Sequence, residues 1–164
     1  MTPSILFLDI DGVIRLEPQF GTKFKKPRFR DPDASMDEKN DDWCPKAVAV
    51  LKSVVTLSGC DIVVTSDWVK NETLERMQQL FRDRAVKPPV DMLTYVHYTN
   101  MDELEKGRVD LIEEWLAVHP EVTKWAVVDD MPLPLYDRFV WCTDAMVGLA
   151  QPGLKFFLLD ALSR

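Results

Sequence analysis

Two hydrophobic rhythms alternate along this chain. Short apolar runs occur at Ile5–Leu8, in "DIVVTS" (61–66), in "WAVVDD" (125–130) and, less extended, in "FVWCT" (139–143). Runs of that length with little polar alternation suit strands buried on both faces. Between them, apolar positions return at helical spacing. "CPKAVAVLKSVVTLSG" (44–59) carries Val48, Leu51, Val55 and either Val54 or Leu57 on one stripe. Its Pro45 stands where a first helical turn tolerates proline, and Gly59 stops it. "NETLERMQQLFRDRA" (71–85) places Leu74, Met77, Leu80 and Phe81 on one face. "GRVDLIEEWLAVHP" (107–120) does the same with Val109, Ile112, Trp115 and Leu116 before Pro120. Strands alternating with helices predict an α/β protein, a single Rossmann-like domain over 1–164 with a mainly parallel sheet and helices on both faces.

The ends of these strands are not explained by apolar burial. "ILFLDIDGVI" (5–14) runs into Asp9 and Asp11, followed at once by Gly12. The second run closes on Thr65 and Ser66, and the third on Asp129 and Asp130. In an open parallel sheet, loops at the carboxyl ends of strands converge on one crevice. Carboxylates gathered there repel one another, and burying them uncompensated is costly. Something must supply positive charge. Oxygen donors with no His or Cys cluster nearby select a hard cation, Mg²⁺ above all.

Composition narrows the setting. A chain of 164 residues, 46% hydrophobic and 29% charged, is that of an ordinary soluble domain. No apolar run approaches the roughly 20 residues of a membrane span. The N-terminus lacks a basic segment leading into an apolar stretch and a small-residue cleavage site. A cytoplasmic protein without a membrane partner is expected. Cys44, Cys60 and Cys142 have no CxxC or CxxH spacing and read as unlinked thiols in a reducing compartment. His97 and His119 match no ligand spacing, and the tryptophans read as core or rim residues, with Trp68 a candidate pocket wall.

A net charge of -7 argues against general affinity for nucleic acid, but the charge is uneven. Residues 15–30 carry Arg15, Lys23, Lys25, Lys26, Arg28 and Arg30 against Glu17 alone, and 31–42 carry Asp31, Asp33, Asp37, Glu38, Asp41 and Asp42 against Lys39. With three prolines as well, 15–43 reads as a charged flap, either self-paired or a basic rim for an anionic ligand.

The motifs carry a resemblance. "FLDIDGVI" resembles the DxDG signature of the haloacid dehalogenase (HAD) superfamily of phosphotransferases. "IVVTSDW" is similar to its second motif, Lys106 in "EKGRVDLIEEWL" to its third and "WAVVDD" to its acidic fourth, in the family's order over about residues 5 to 130. "WCTDAMVGL" resembles the tail of small HAD domains linked to RNA repair.

The resemblance implies a Mg²⁺-dependent phosphatase. Asp9 would be the nucleophile, forming an aspartyl-phosphate. Asp11 would act as general acid and then base, its backbone carbonyl joining Asp9 at the metal. Gly12 would let the chain turn tightly beside the phosphate. Thr65, or Ser66 in the competing register, would hydrogen-bond the phosphoryl oxygens. Lys106, with Arg108 close enough to compete, would neutralise phosphoryl charge. Asp130 would contact the metal, with Asp129 ligating it or ordering its waters.

Neither 15–43 nor the stretch after the second motif has room for a full cap domain. The expected site is therefore open to a phosphorylated small molecule or a bulkier nucleic-acid end. The alternatives are a phosphotransferase or nucleotidase of the same chemistry, or a non-catalytic HAD-fold phosphate sensor. Asp9 and Asp11 both being intact weighs against the sensor.

Overall fold

In a computed structural model, which describes residues 3–16, 43–67, 72–93 and 100–164, the apolar runs become strands of one parallel sheet. The strands are β1 (Ser4–Leu8), β2 (Asp61–Val64), β3 (Asp91–Met92), β4 (Lys124–Asp129) and β5 (Phe139–Trp141), in the spatial order β3-β2-β1-β4-β5. The most uniformly apolar run occupies the centre. Phe7 stands level with Val63 of β2 on one side and Val127 of β4 on the other. Leu6 and Leu8 enter one core layer, while Ile5 and Phe7 enter the other.

Four helices are described: α1 (Pro45–Ser58), α2 (Leu74–Arg82), α3 (Met101–Val118) and α4 (Leu154–Ser163). Proline opens α1, and Gly59 closes it with φ 71°, donating its N–H to the Val55 carbonyl. Val54, not Leu57, completes the buried stripe of α1; Leu57 is 64% exposed. The Thr73 hydroxyl caps α2 by accepting the Arg76 N–H, and Met77, Leu80 and Phe81 face inward. Buried residues of α1, α2 and α4 pack with Leu6, Leu8, Ile62 and Val64. The opposite face is covered by α3, whose Ile112 and Trp115 pack with Ile5, Phe7, Val63 and Val127. Phe7 meets Trp115 edge-on, with ring centroids 5.5 Å apart. The α/β architecture with helices on both faces is thus the one expected.

Several details differ from expectation. Helix α3 begins at Met101, where the Asn100 side chain accepts the Glu103 N–H and two acids occupy the first turn, favourable at a helix N-terminus. Neither β3 nor α4 was anticipated. Cys60 and Cys142 are buried and Cys44 half-buried, none in a disulfide. His119 stacks on Trp115 as a packing residue. Residues 17–42 and 68–71, which hold most of the charged flap and Trp68, lie outside the described residues, as does His97. No helix among the described residues is long and apolar enough to cross a membrane.

Candidate active site

The alternation that builds the core also delivers the polar residues. Past the strand ends, the Asp9 N–H donates to the Val128 carbonyl (3.0 Å), Thr65 N–H to Leu8 (2.9 Å) and Cys142 N–H to Asp129 (2.8 Å). The ends of β1, β2, β4 and β5 are therefore held level. Phe7, Val63 and Val127 point to the α3 side of the sheet. Two residues further along each strand stand Asp9, Thr65 and Asp129, which by the period of two belong to the same side. By that count Ser66 steps to the other side. Thr65 and Ser66 are both buried.

Helix α3 supplies the cation. Its buried stripe is Leu104, Arg108, Ile112 and Trp115, with Arg108 the one charged member. The Arg108 Nη1 donates to Asp129 Oδ2 and lies 3.5 Å from Asp9 Oδ1. Lys106 stands two residues earlier, about 200° around the helix, and is exposed. The structure brings Arg108 to the carboxylates and leaves Lys106 on the solvent side.

Each remaining acid has its own setting. Asp129 is fully buried and also accepts the Met131 N–H at 2.9 Å. Asp130 stands against Gly12, whose φ of +76° favours glycine, and any Cβ there would run into the Asp130 carboxylate. Glycine is thus required for both conformation and space. The turn it begins is closed by Gly12 N–H to the Arg15 carbonyl (2.7 Å) and Arg15 N–H to the Ile10 carbonyl (2.9 Å). Asp11, at the mouth, pairs with Arg15 at 2.9 Å. Arg15, counted with the rim charges in the sequence, is in fact completely buried.

One carboxylate oxygen from each of Asp9, Asp129 and Asp130 lies within 4.8 Å of the others. Ligands on opposite sides of a Mg²⁺ ion are about 4 Å apart, so a small inward shift lets these hard oxygen donors share one ion. The Asp11 carboxylate lies outside this group.

The electrostatics agree with the donor set. Burial pushes the Asp9 carboxyl well above its ordinary range; Arg108 pulls it down, while Asp129, Asp130 and Asp11 push it further up. Burial also raises Asp129, again opposed by Arg108. Asp130 is raised to about 6 by burial and then by Asp129. Among the described residues, one guanidinium stands against three raised carboxyls.

A pH dependence follows. A carboxyl whose folded pKa lies above its unfolded value binds extra protons in the native state. Its contribution is fully present below the unfolded value and is lost as pH rises through the folded one. For Asp130 that window runs from the ordinary 3.8 through about 6. With the shift discounted for the solvent that screens this partly exposed carboxyl, the metal-free protein should lose about 1 kcal/mol across it from this group, or about 2–4 °C in Tm. A Mg²⁺ ion held by the deprotonated trio would raise Tm at about pH 8 much more than at about pH 5. Melting curves with and without Mg²⁺ check this; an equal or smaller rise at the higher pH would remove the metal from this cluster.

The family of HAD domains in Swiss Army Knife RNA repair proteins has a sequence model that matches residues 5–154. No curated protein and no solved structure matches the chain.

Proposed function

The chain belongs to the HAD domains found in Swiss Army Knife RNA repair proteins, and from that premise we propose that it is a Mg²⁺-dependent phosphomonoesterase acting on nucleic-acid ends. The observation that carries the reading is the trio Asp9, Asp129 and Asp130, with oxygens within 4.8 Å of one another, beside the buried Arg108.

Asp9 attacks phosphorus, forming an aspartyl-phosphate as the ester P–O bond breaks. Asp11 gives its proton to the departing oxygen. It then takes a proton from the water that attacks the aspartyl-phosphate, releasing inorganic phosphate and restoring Asp9. Arg108, in the place first given to Lys106, offsets negative charge on the phosphoryl group, and Thr65 donates to its oxygens, with Ser66 the alternative. Mg²⁺ held by Asp9, Asp129 and Asp130 would neutralise the charge shared by substrate and enzyme.

Incubating the chain with p-nitrophenyl phosphate and with 3′- or 5′-phosphorylated oligoribonucleotides tests this. Phosphate release should require Mg²⁺, stop in excess chelator and be more efficient on an oligonucleotide. No release from any of these esters in Mg²⁺ would overturn the reading.

Trp141 supports the nucleic-acid preference. In β5 it stands level with Asp129, its indole N–H donates to the Asp130 carbonyl at 3.0 Å, and it is still 44% exposed. A flat ring fixed at the rim of the site suits a nucleobase, and stacking contributes about 1–3 kcal/mol per base. With a net charge of -7, local contacts of this kind matter more for affinity to nucleic acid than overall charge does. Trp141→Ala should raise KM for a phosphorylated oligonucleotide by about 5- to 100-fold and leave that for p-nitrophenyl phosphate nearly unchanged. Equal changes for both substrates would remove Trp141 from base recognition.

A further inference from the structure

We propose that Arg15 is a positioning residue for Asp11, its buried guanidinium holding the Asp11 carboxylate in the orientation that proton transfer requires. The inference rests on the phosphatase reading above.

Arg15 is wholly buried, yet the carboxylate it pairs with, at 2.9 Å, is 32% exposed. Its backbone is fixed independently. The Arg15 N–H donates to the Ile10 carbonyl and its carbonyl accepts the Gly12 N–H, while single bridges tie it to Asp11 and to Trp43, just before α1. The anchor is therefore rigid before the side chain acts.

Taking a guanidinium out of water is costly, and a well-packed apolar side chain in its place is often as stable or more so. A pair with a partly exposed carboxylate returns only about 0–1 kcal/mol. What the pair adds is direction, because the charge-assisted bond from Arg15 Nη1 to Asp11 Oδ1 comes from a guanidinium that burial holds in place. Arg15 has no exposed surface with which to touch substrate, and its guanidinium reaches the Asp11 carboxylate. Asp11 has to serve twice, as acid and then as base, and a misplacement of about 1 Å at such a group costs about a hundredfold.

The test is a mutant cycle on an alkyl phosphate and on p-nitrophenyl phosphate. Arg15→Met should lower kcat/KM for the alkyl ester by about 10- to 100-fold. The loss should be several times smaller for p-nitrophenyl phosphate, whose phenolate leaves without needing a proton. KM should change little, and Arg15→Lys, which keeps the charge without the fork, should recover part of the loss. Added to Asp11→Asn, the Arg15 change should cost nothing further. Melting curves establish that the variants fold; should Arg15→Met fail to fold, Arg15→Gln replaces it in the same cycle. Unchanged kinetics, or the same loss with and without the Asp11 carboxylate, would overturn the inference. A wild-type chain inactive on both esters and on the phosphorylated oligoribonucleotides would overturn the phosphatase reading, and the inference with it. An active wild type with fully active Arg15 variants would overturn the inference alone.

Discussion

Arg108→Met should cost the protein both activity and stability, whereas Lys106→Ala should cost almost nothing. Arg108 is 4% exposed and sits between Asp129 and Asp9, whose carboxyls burial has already pushed up. Removing one partner of a buried ion pair leaves uncompensated charge and costs about 3–5 kcal/mol, or about 10 °C in Tm for a chain of this size. Mg²⁺ should recover part of that stability, because a divalent ion at the trio replaces the missing charge. It should not restore turnover, since a positioned cation at the transferring phosphoryl group is worth about 10²–10³ in kcat. Arg108→Lys should behave more like the methionine variant than like wild type, because an ammonium cannot reproduce the planar fork. The exposed Lys106 should change Tm within the range of an ordinary surface substitution, about 0.5 kcal/mol. Melting curves and kinetics on the variants check the pair. A larger effect from Lys106 than from Arg108 would return the phosphate-binding role to Lys106.

The placing of Arg108 beside the acids shows where the sequence was legible. The central strands declare themselves because buried parallel strands are continuous apolar runs, and the acids at their ends follow directly. Helix phase was equally available at the third motif. Arg108 lies four residues from both Leu104 and Ile112, on the stripe that must face the sheet, and Lys106 does not. Matching a motif by local order put the lysine first, and periodicity would have put the arginine first. The same alternation separates Thr65 from Ser66.

Other features left no such mark. Strand β3 has two residues, Asp91 and Met92, both half-buried, so it makes no apolar run. Helix α4 buries Leu154, Leu158, Ala161 and Leu162 but exposes Phe156 and Phe157, which hides its stripe in a nearly all-apolar segment. Arg15 was counted with the rim because charge totals presume solvent. Its burial depends on a tight turn that brings Asp11 back onto it, and neither helical nor strand period encodes such a contact.

Asp9→Asn should separate activity from stability, moving them in opposite directions. The amide keeps the shape of the carboxylate and loses its nucleophilic charge, so turnover should fall by about 10⁴-fold or more, as when a covalent catalyst loses its nucleophile. The fold should improve. Asp9 is buried and its carboxyl is held well above the ordinary value of 3.8, by burial first and by the neighbouring acids after Arg108 has pulled the other way. A raised folded pKa means that its stabilising contribution exists below the unfolded value and is gone once pH has risen through the folded one. Above the unfolded value, then, a carboxyl raised in this way is a liability that asparagine removes. The metal-free Asp9→Asn protein should accordingly melt higher than wild type near neutral pH, while the Arg108–Asp129 pair stays in place. Its Mg²⁺-induced rise in Tm should shrink, because one of the three ligands has lost its charge. Near-normal turnover in the folded variant would place the nucleophile elsewhere. A lower metal-free Tm would mean that Asp9 is stabilised by its surroundings as an anion, and the electrostatic case for a cation at this cluster would fail with it.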